Sequence, residues 1–170
     1  MSFFKKLLNH VEENKTTIVT EPGTIYSPLS GTAITLAEIG DGIFSEGVLG
    51  LGCGIKPDEE IVYAPFDGTI IQVADTKHAI GISSADGIEL LIHVGLDTVA
   101  MKGNGFHVYV SCGDHVTCGQ KLLKFSKKEI AAAGYPDTTA VLVTNSSDFA
   151  AVEMCTTGIV HSLDKLMTIK

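Results

Sequence analysis

Two histidines, His78 and His93, lie in apolar runs that a short polar stretch, Ser83 to Gly87, separates. Each run alternates apolar and polar residues, which is typical of a half-buried β-strand, and Ser-Ala-Asp-Gly is turn chemistry. Strand side chains alternate between faces with period 2. The sequence therefore predicts a β-hairpin with one histidine on each strand, His78 sharing a face with Thr76, and His93 sharing a face with Leu91 and Gly95.

The length of the hairpin loop decides whether the two imidazoles meet. A four-residue loop, Ser84 to Gly87, sets His78 directly opposite His93, and a two-residue loop, Asp86-Gly87, makes them diagonal neighbours. Their Cβ atoms are then roughly 5 Å or 7 Å apart. A three-residue loop would place the two rings on opposite faces of the sheet. The first two registers are the ones compatible with joint chemistry.

Two imidazoles this close suit one small charged group, either a zinc ion or a phosphoryl group carried on a ring nitrogen. The alternative is that one histidine is a hydrogen-bonded core residue and the other a surface residue. The pairing of the two across a predicted hairpin favours the shared site.

The elements that must hold this site are mostly strands. The 170 residues are 45% apolar and include 18 glycines, enough for one domain that buries roughly 70% of its unfolded surface. Residues 26–34 match residues 63–71 in Tyr, Pro, Gly, Thr and Ile, and residues 157–160 form a partial third copy. We predict an all-β fold with a duplicated β-unit, and one interior helix over 126–134, capped by Ser126.

The charge pattern excludes some partners. The net charge is -8 and the sequence contains no arginine, which argues against nucleic acid and anionic membrane surfaces as main partners. A bound phosphate would be held by imidazole, backbone N–H groups, lysine or an arginine of a partner.

The four cysteines form no C-x-x-C pair and no signal peptide precedes them, so we expect reduced thiols in a cytoplasmic protein. Cys112, His115 and Cys118 have zinc-ligand types, but the glycines among them favour a hairpin turn.

The chain divides into a segment 1–17 and a body 18–170. Segment 1–17 begins with apolar residues at helical spacing beside two lysines, typical of a tail or a weak membrane anchor. Residues 41–52 are glycine-rich, and their apolar side chains are expected either in the core or as an exposed rim.

Several motifs resemble, in order, the glucose-type enzyme IIA (EIIA) component of the bacterial phosphoenolpyruvate-dependent sugar phosphotransferase system. The resemblance covers about residues 20 to 170, in the motifs S-P-L-S-G (27–31), G-I-K-P (54–57), A-P-F-D-G-T-I (64–70), T-K-H-A-I-G-I (76–82), I-H-V-G-L-D-T-V (92–99) and G-N-G-F (103–106).

This resemblance implies an antiparallel β-sandwich of the barrel-sandwich hybrid type, with one or two short helices, acting as a free-standing phosphocarrier. His93 matches the histidine that accepts a phosphoryl group from phospho-HPr and passes it to a cysteine of an EIIB domain. His78 matches the second histidine of that pair. Thr76 and the Gly95 carbonyl match the groups that orient the rings. Asp41 and Asp97 match rim carboxylates that meet HPr, and the apolar collar matches Ile43, Phe44, Val48, Leu49 and Leu91. No cofactor is required.

Two further functions remain open on sequence. One is regulation: the protein would bind transporters or catabolic enzymes in a phosphorylation-dependent way. A zinc ion could then be shared between His78, His93 and a carboxylate of the partner. A lysostaphin-like zinc peptidase is the other, since His93 and Asp97 have the spacing of half its ligand set, but the H-x-H that it needs downstream is reduced to His107 alone.

Overall fold

The computed structural model describes residues 18–170, so the predicted amphipathic segment 1–17 lies outside the described residues. The described chain is built mainly from short strands: β1 Thr24–Tyr26, β2 Gly31–Thr35, β3 Leu51–Pro57, β4 Ile61–Tyr63, β5 Gly68–Val73, β6 Ala79–Ser84, β7 Glu89–His93, β8 Phe106–Val108, β9 His115–Val116, β10 Lys121–Phe125, β11 Thr139–Val143, β12 Val152–Met154, β13 Gly158–Val160 and β14 Lys165–Ile169.

Every strand pairing in this part of the chain is antiparallel. Eight strands form one sheet in the order β13-β2-β3-β11-β7-β6-β5-β9, and two three-stranded sheets have the orders β1-β14-β12 and β4-β10-β8. One large apolar cluster takes its side chains from all three sheets. The predicted all-β sandwich is confirmed.

Two α-helices lie within residues 18–170: α1, Leu36–Ile39, and α2, Lys127–Ala132. Helix α2 starts at the predicted cap, where the Ser126 hydroxyl accepts from the N–H of Glu129. The prediction of a single interior helix is wrong, because α1 also forms. Its N-terminus carries a complete capping box between Thr35 and Glu38, which offsets the low stability of so short a helix.

Strand β11 is buried along its whole length, and its two faces belong to different clusters. Val141 and Val143 point into the main core. Ala140 and Leu142 lie in a second cluster with Phe44, under α1 and the 3-10 helix Phe44–Glu46. The face of the sheet opposite the main core is therefore apolar next to β7. The second cluster covers this face near His93, which is the last residue of β7.

The predicted duplication is visible in the hydrogen bonds. The N–H of Tyr26 donates to the carbonyl of Pro65 at 3.0 Å, and the N–H of Tyr63 donates to the carbonyl of Pro28 at 2.7 Å. Both copies run strand, Pro-containing turn, strand, so the two units contact each other reciprocally, as a pseudo-two-fold pair. The partial third copy supplies β13, which pairs with β2 at one edge of the large sheet.

No helix within residues 18–170 has the length and apolar character needed to cross a membrane.

Candidate functional site

The two histidine rings lie against each other. The centroids of His78 and His93 are 4.6 Å apart, and the ring planes are nearly perpendicular at 82°. His78 is 6% exposed, whereas His93 is more open to solvent. The structure therefore brings together the two residues that the sequence predicts to share one group.

The predicted route to this arrangement is wrong. Ser83 pairs with Glu89 and Ala79 pairs with His93, so the hairpin has the three-residue loop that would separate the rings in a regular strand. Thr76 and His78 do not lie in β6, which begins at Ala79. They belong to the preceding turn, where period-2 alternation does not apply, and that turn carries the His78 ring to the face of His93.

Each ring is held through its Nδ1 atom. His93 Nδ1 lies 2.8 Å from the carbonyl oxygen of Gly95, and His78 Nδ1 lies 2.8 Å from the hydroxyl oxygen of Thr76. A carbonyl only accepts, so Nδ1 of neutral His93 keeps the proton and Nε2 keeps the lone pair. Nε2 is thus the nitrogen that His93 can offer to an electrophile.

Burial and charge keep both rings neutral. Burial, followed by repulsion from His78, lowers the pKa of His93 to about 4, against opposing effects from the Gly95 carbonyl and the Asp41 carboxylate. Burial also lowers the pKa of His78. Burial disfavours the charged imidazolium, so both rings enter any reaction near pH 7 in the neutral form, with one ring nitrogen protonated and the other carrying a lone pair.

The turn after β7 fixes the Gly95 carbonyl. Gly95 has φ +80°, and a Cβ on it would lie 2.3 Å from Cγ2 of Thr98. The buried Thr98 hydroxyl donates to the carbonyl of Val94 at 2.5 Å. Glycine is needed here for both conformation and space, which explains the V-G-L-D-T sequence around the site.

The predicted apolar collar divides into two groups. Ile43, Val48 and Leu49 are exposed. Phe44 is buried and packs on the His93 ring at 4.8 Å between centroids, and Leu91 is half-buried. Phe44 is therefore a wall of the site instead of part of an exposed rim. Sequence reasoning missed Leu51 and Val99, which are exposed apolar residues on the elements that flank the site.

The two rim carboxylates differ in their surroundings. Asp41 accepts hydrogen bonds from the N–H groups of Ile43, Phe44 and Ser45, and these bonds hold its pKa low although burial acts in the opposite direction. It organises the loop that carries the collar. Asp97 is exposed, in a left-handed conformation at φ +61°.

Residues 18–170 contain no group of three or more His, Cys, Asp or Glu side chains that could hold a metal. The structure does not bring Cys112, His115 and Cys118 together in such a group, nor His93, Asp97 and His107. The four cysteines are free thiols.

Residues 23–149 match the family described as phosphoenolpyruvate-dependent sugar phosphotransferase system, EIIA 1. The chain belongs to this family. This match confirms the family predicted from the motifs.

Similar proteins agree with the assignment. The chain is 37% identical to the glucose-specific EIIA component of Staphylococcus aureus (strain COL), over 89% of this chain and 88% of that protein. It is 44% identical to the beta-glucoside-specific EIIBCA component of Dickeya chrysanthemi over 82% of its length, and it spans 22% of that longer protein. The solved structure of glucose permease IIA from Mycoplasma capricolum superimposes with a TM-score of 0.78 at 34% identity, covering 85% of this chain and 93% of the other.

Proposed function

We propose that EIIA accepts a phosphoryl group from phospho-HPr on Nε2 of His93 and passes it to a cysteine of an EIIB domain. The observation that carries this proposal is the ring pair: two neutral imidazoles in contact, each anchored through Nδ1. In the first step, the bond from His93 Nε2 to phosphorus forms as the bond to the donor breaks. In the second, the cysteine thiolate attacks phosphorus and His93 Nε2 leaves with its lone pair.

His78 has a different part in this scheme. Its Nδ1 lies 2.8 Å from the Thr76 hydroxyl oxygen. In the tautomer proposed here that hydroxyl donates to Nδ1, so the ring proton is on Nε2 and donates to a phosphoryl oxygen on His93. Phosphoryl transfer proceeds through a loose transition state, in which positioning and charge neutralisation supply most of the catalysis. Thr76 and Gly95 are thus positioning residues for His78 and His93.

Positive charge for the transition state comes from the partner, because this chain has no arginine. The exposed apolar collar of Ile43, Val48 and Leu49, together with Leu51 and Val99, contacts the apolar part of HPr. Asp97 and Asp41 face its basic residues. Such an interface has an apolar centre and a charged rim, as protein–protein interfaces commonly do.

The EIIB partner is inferred from relatives. The names of the relatives from Dickeya chrysanthemi and Bacillus subtilis, EIIBCA component, join the A unit to B and C units in one protein. For the present chain, the acceptor is a cysteine on an EIIB domain, and transfer to that cysteine couples EIIA to sugar uptake and phosphorylation.

The reaction as proposed needs no cofactor. A zinc ion fits the pair only in part, because His78 and His93 offer two Nε2 atoms and a structural zinc site takes four ligands. A partner's carboxylate would have to complete it. Such a metal would stabilise the complex with that partner, and both rings would then be unable to take part in phosphoryl transfer.

Phosphorylation with phosphoenolpyruvate, enzyme I and HPr tests the proposal. His93→Ala is expected to abolish labelling of EIIA. His78→Gln is expected to accept the label and to fail in passing it to EIIB. His161→Ala, which removes an exposed histidine elsewhere, serves as the matched control and should behave as the unmodified chain. Label on His93→Ala would contradict the proposed acceptor, and normal onward transfer by His78→Gln would contradict the role of His78.

A further inference from the structure

The turn before β6 contains Lys77, which has an unusual backbone conformation and no part in the reaction proposed above. The N–H of Ala74 donates to the carbonyl of Ala79 at 3.0 Å, which closes a four-residue loop, Asp75 to His78, between β5 and β6. Within this loop Lys77 adopts φ +61°, and its N–H donates to the carbonyl of Ala74 at 2.8 Å. Left-handed backbone is disfavoured for a residue with a side chain like that of lysine.

The bend at Lys77 decides which face His78 reaches. Ala79 pairs with His93 and Ile80 pairs with Ile92, so alternation continued back along β6 would send His78 into the core with Ile80. The carbonyl of His78 still accepts from the N–H of Val94 at 2.8 Å. His78 is therefore in the ladder on its carbonyl side only, and its amide side arrives from the left-handed turn.

The side chain of Lys77 is not tied to the site by charge. It is exposed, and the ion pairs among residues 18–170 do not include it. Its aliphatic part passes over the loop after Met101, since a Cβ on Gly103 would lie 3.8 Å from Cδ of Lys77. What distinguishes this residue is its backbone.

We propose that Lys77 is a positioning residue for phosphoryl transfer, and that its left-handed backbone turns the His78 ring out of the core and onto the face of His93. The inference rests on the proposed function for its kinetic consequence. Its structural consequence, the contact between the two rings, is independent of that function. Backbone strain at a functional site is held by its surroundings, here the Ala74–Ala79 closure and the bond from Thr76 to His78.

Substitutions at Lys77 separate backbone from charge. Gly and Asn both accept positive φ and both lack the ammonium group, so Lys77→Gly and Lys77→Asn are expected to transfer phosphoryl to EIIB at the unmodified rate. Val is β-branched and resists positive φ. Lys77→Val is expected to accept phosphoryl on His93 and to lose onward transfer by on the order of 10²-fold, as for a misplaced catalytic group.

A spectroscopic readout tests positioning without phosphoryl transfer. Nuclear Overhauser contacts between the ring protons of His78 and His93 are expected in the unmodified chain and in the Gly and Asn variants, and are expected to disappear in Lys77→Val. Leu163→Val is the matched control, because Leu163 also has positive φ, +71°, in another turn. It should carry a similar backbone penalty and keep both the ring contacts and the transfer rate.

Three outcomes would overturn the inference. The first is a folded Lys77→Val that keeps the ring contacts, and the second is loss of transfer in the Gly and Asn variants, which would assign the role to the ammonium group. The third is loss of ring contacts in Leu163→Val, which would make the effect one of stability. Should Lys77→Val fail to fold, Lys77→Ala takes its place, with weakened contacts expected and unchanged contacts contradicting the inference. If the unmodified chain itself transfers nothing to EIIB, the proposed function fails and the ring contacts still decide the role of Lys77.

Discussion

At the scale of single residues, His93 combines two properties that a phosphoryl acceptor needs. Its Nδ1 proton is fixed by the Gly95 carbonyl, so the free lone pair is on Nε2. Burial and His78 lower its pKa to about 4, so the ring stays unprotonated across the neutral range. The Phe44 and His78 rings both pack against the His93 ring and restrict access to it.

The lowered pKa predicts an unusual pH profile for phosphoryl acceptance. An ordinary histidine has a pKa of about 6.5 and would lose its nucleophile below that pH. For His93, the acceptance rate on EIIA is expected to stay level as the pH falls through 6.5 and to drop only as the pH approaches 4. Long-range ¹H–¹⁵N spectra of the rings measure the titration directly. A His93 midpoint near 6.5 would contradict the stated environment.

Substitution of His78 provides the control for this titration. In His78→Gln the repulsion between two imidazolium charges is absent, so the pKa of His93 is expected to rise while burial keeps it below the ordinary value. A fall, or no change, would show that the His78 ring does not lie against His93.

The residue-scale features differ in how far the sequence could predict them. The types and pairing of His78 and His93, and the groups that orient them, follow from motifs in the sequence. The register does not. The loop Asp75–His78 contains no glycine or proline, and the residue with positive φ is Lys77. Without the usual turn signal, period-2 alternation predicts a continuous strand through a residue at which the chain leaves it.

At the scale of elements, the duplicated unit is more extensive in the structure than in the sequence. Its strands β2 and β5 are each paired on one side with a late strand, β13 and β9, at equivalent positions: Gly31 faces Val160 and Gly68 faces Val116. The echo at offset 37 is visible in the sequence because close contacts require Pro and Gly at fixed places. A second pair of corresponding segments, residues 116–122 and 160–166, shares only Val, Lys and Leu at equivalent positions. Its Gly119 corresponds to Leu163, although both have positive φ.

The two glycines of the first echo are expected to be equally sensitive to substitution. A Cβ on Gly31 would lie 2.1 Å from the backbone oxygen of Lys56, and one on Gly68 would lie 2.2 Å from that of Ser83. A backbone atom in a sheet cannot move aside locally. Each of Gly31→Ala and Gly68→Ala is expected to lower the free energy of unfolding by roughly 3 kcal/mol, as for severe overpacking, measured by urea denaturation.

Gly113→Ala is the control for these two variants. A Cβ there meets nothing within 4 Å, although φ is +95°, so this variant carries the conformational penalty of about 1 kcal/mol without the clash. Losses in Gly31→Ala and Gly68→Ala no larger than in Gly113→Ala would show that the close approach of neighbouring strands does not account for the glycines of the echo.

At the scale of the whole molecule, the net charge of -8 and the absence of arginine favour a cationic partner, as proposed above. The composition predicts this preference directly. The composition does not predict the surroundings of each carboxylate. Asp41 accepts hydrogen bonds from three backbone N–H groups, whereas Asp97 is exposed, two residues before the exposed Val99. Asp97 is therefore the rim carboxylate that is free to meet a cationic partner.

This placement predicts how docking depends on charge. Exposed complementary charges speed association, and salt screens them over a Debye length of about 8 Å at physiological ionic strength. Asp97→Asn, which keeps a residue tolerant of positive φ, is expected to slow phosphoryl acceptance from HPr a few-fold, roughly the size of an exposed ion pair of under 1 kcal/mol. The same variant is expected to weaken the dependence of that rate on salt, which stopped-flow measurements at several ionic strengths determine.

Glu153→Gln removes the same charge from an exposed side chain of β12, which belongs to the three-stranded sheet β1-β14-β12 and not to the sheet that carries His93. Both variants reduce the net negative charge by one, so a uniform long-range effect would slow them equally, whereas a local contact at the rim slows only Asp97→Asn. Equal slowing would assign the attraction to overall charge. An unchanged rate and salt dependence in Asp97→Asn would show that the docking surface does not include the turn after β7. HPr would then reach His93 from another direction.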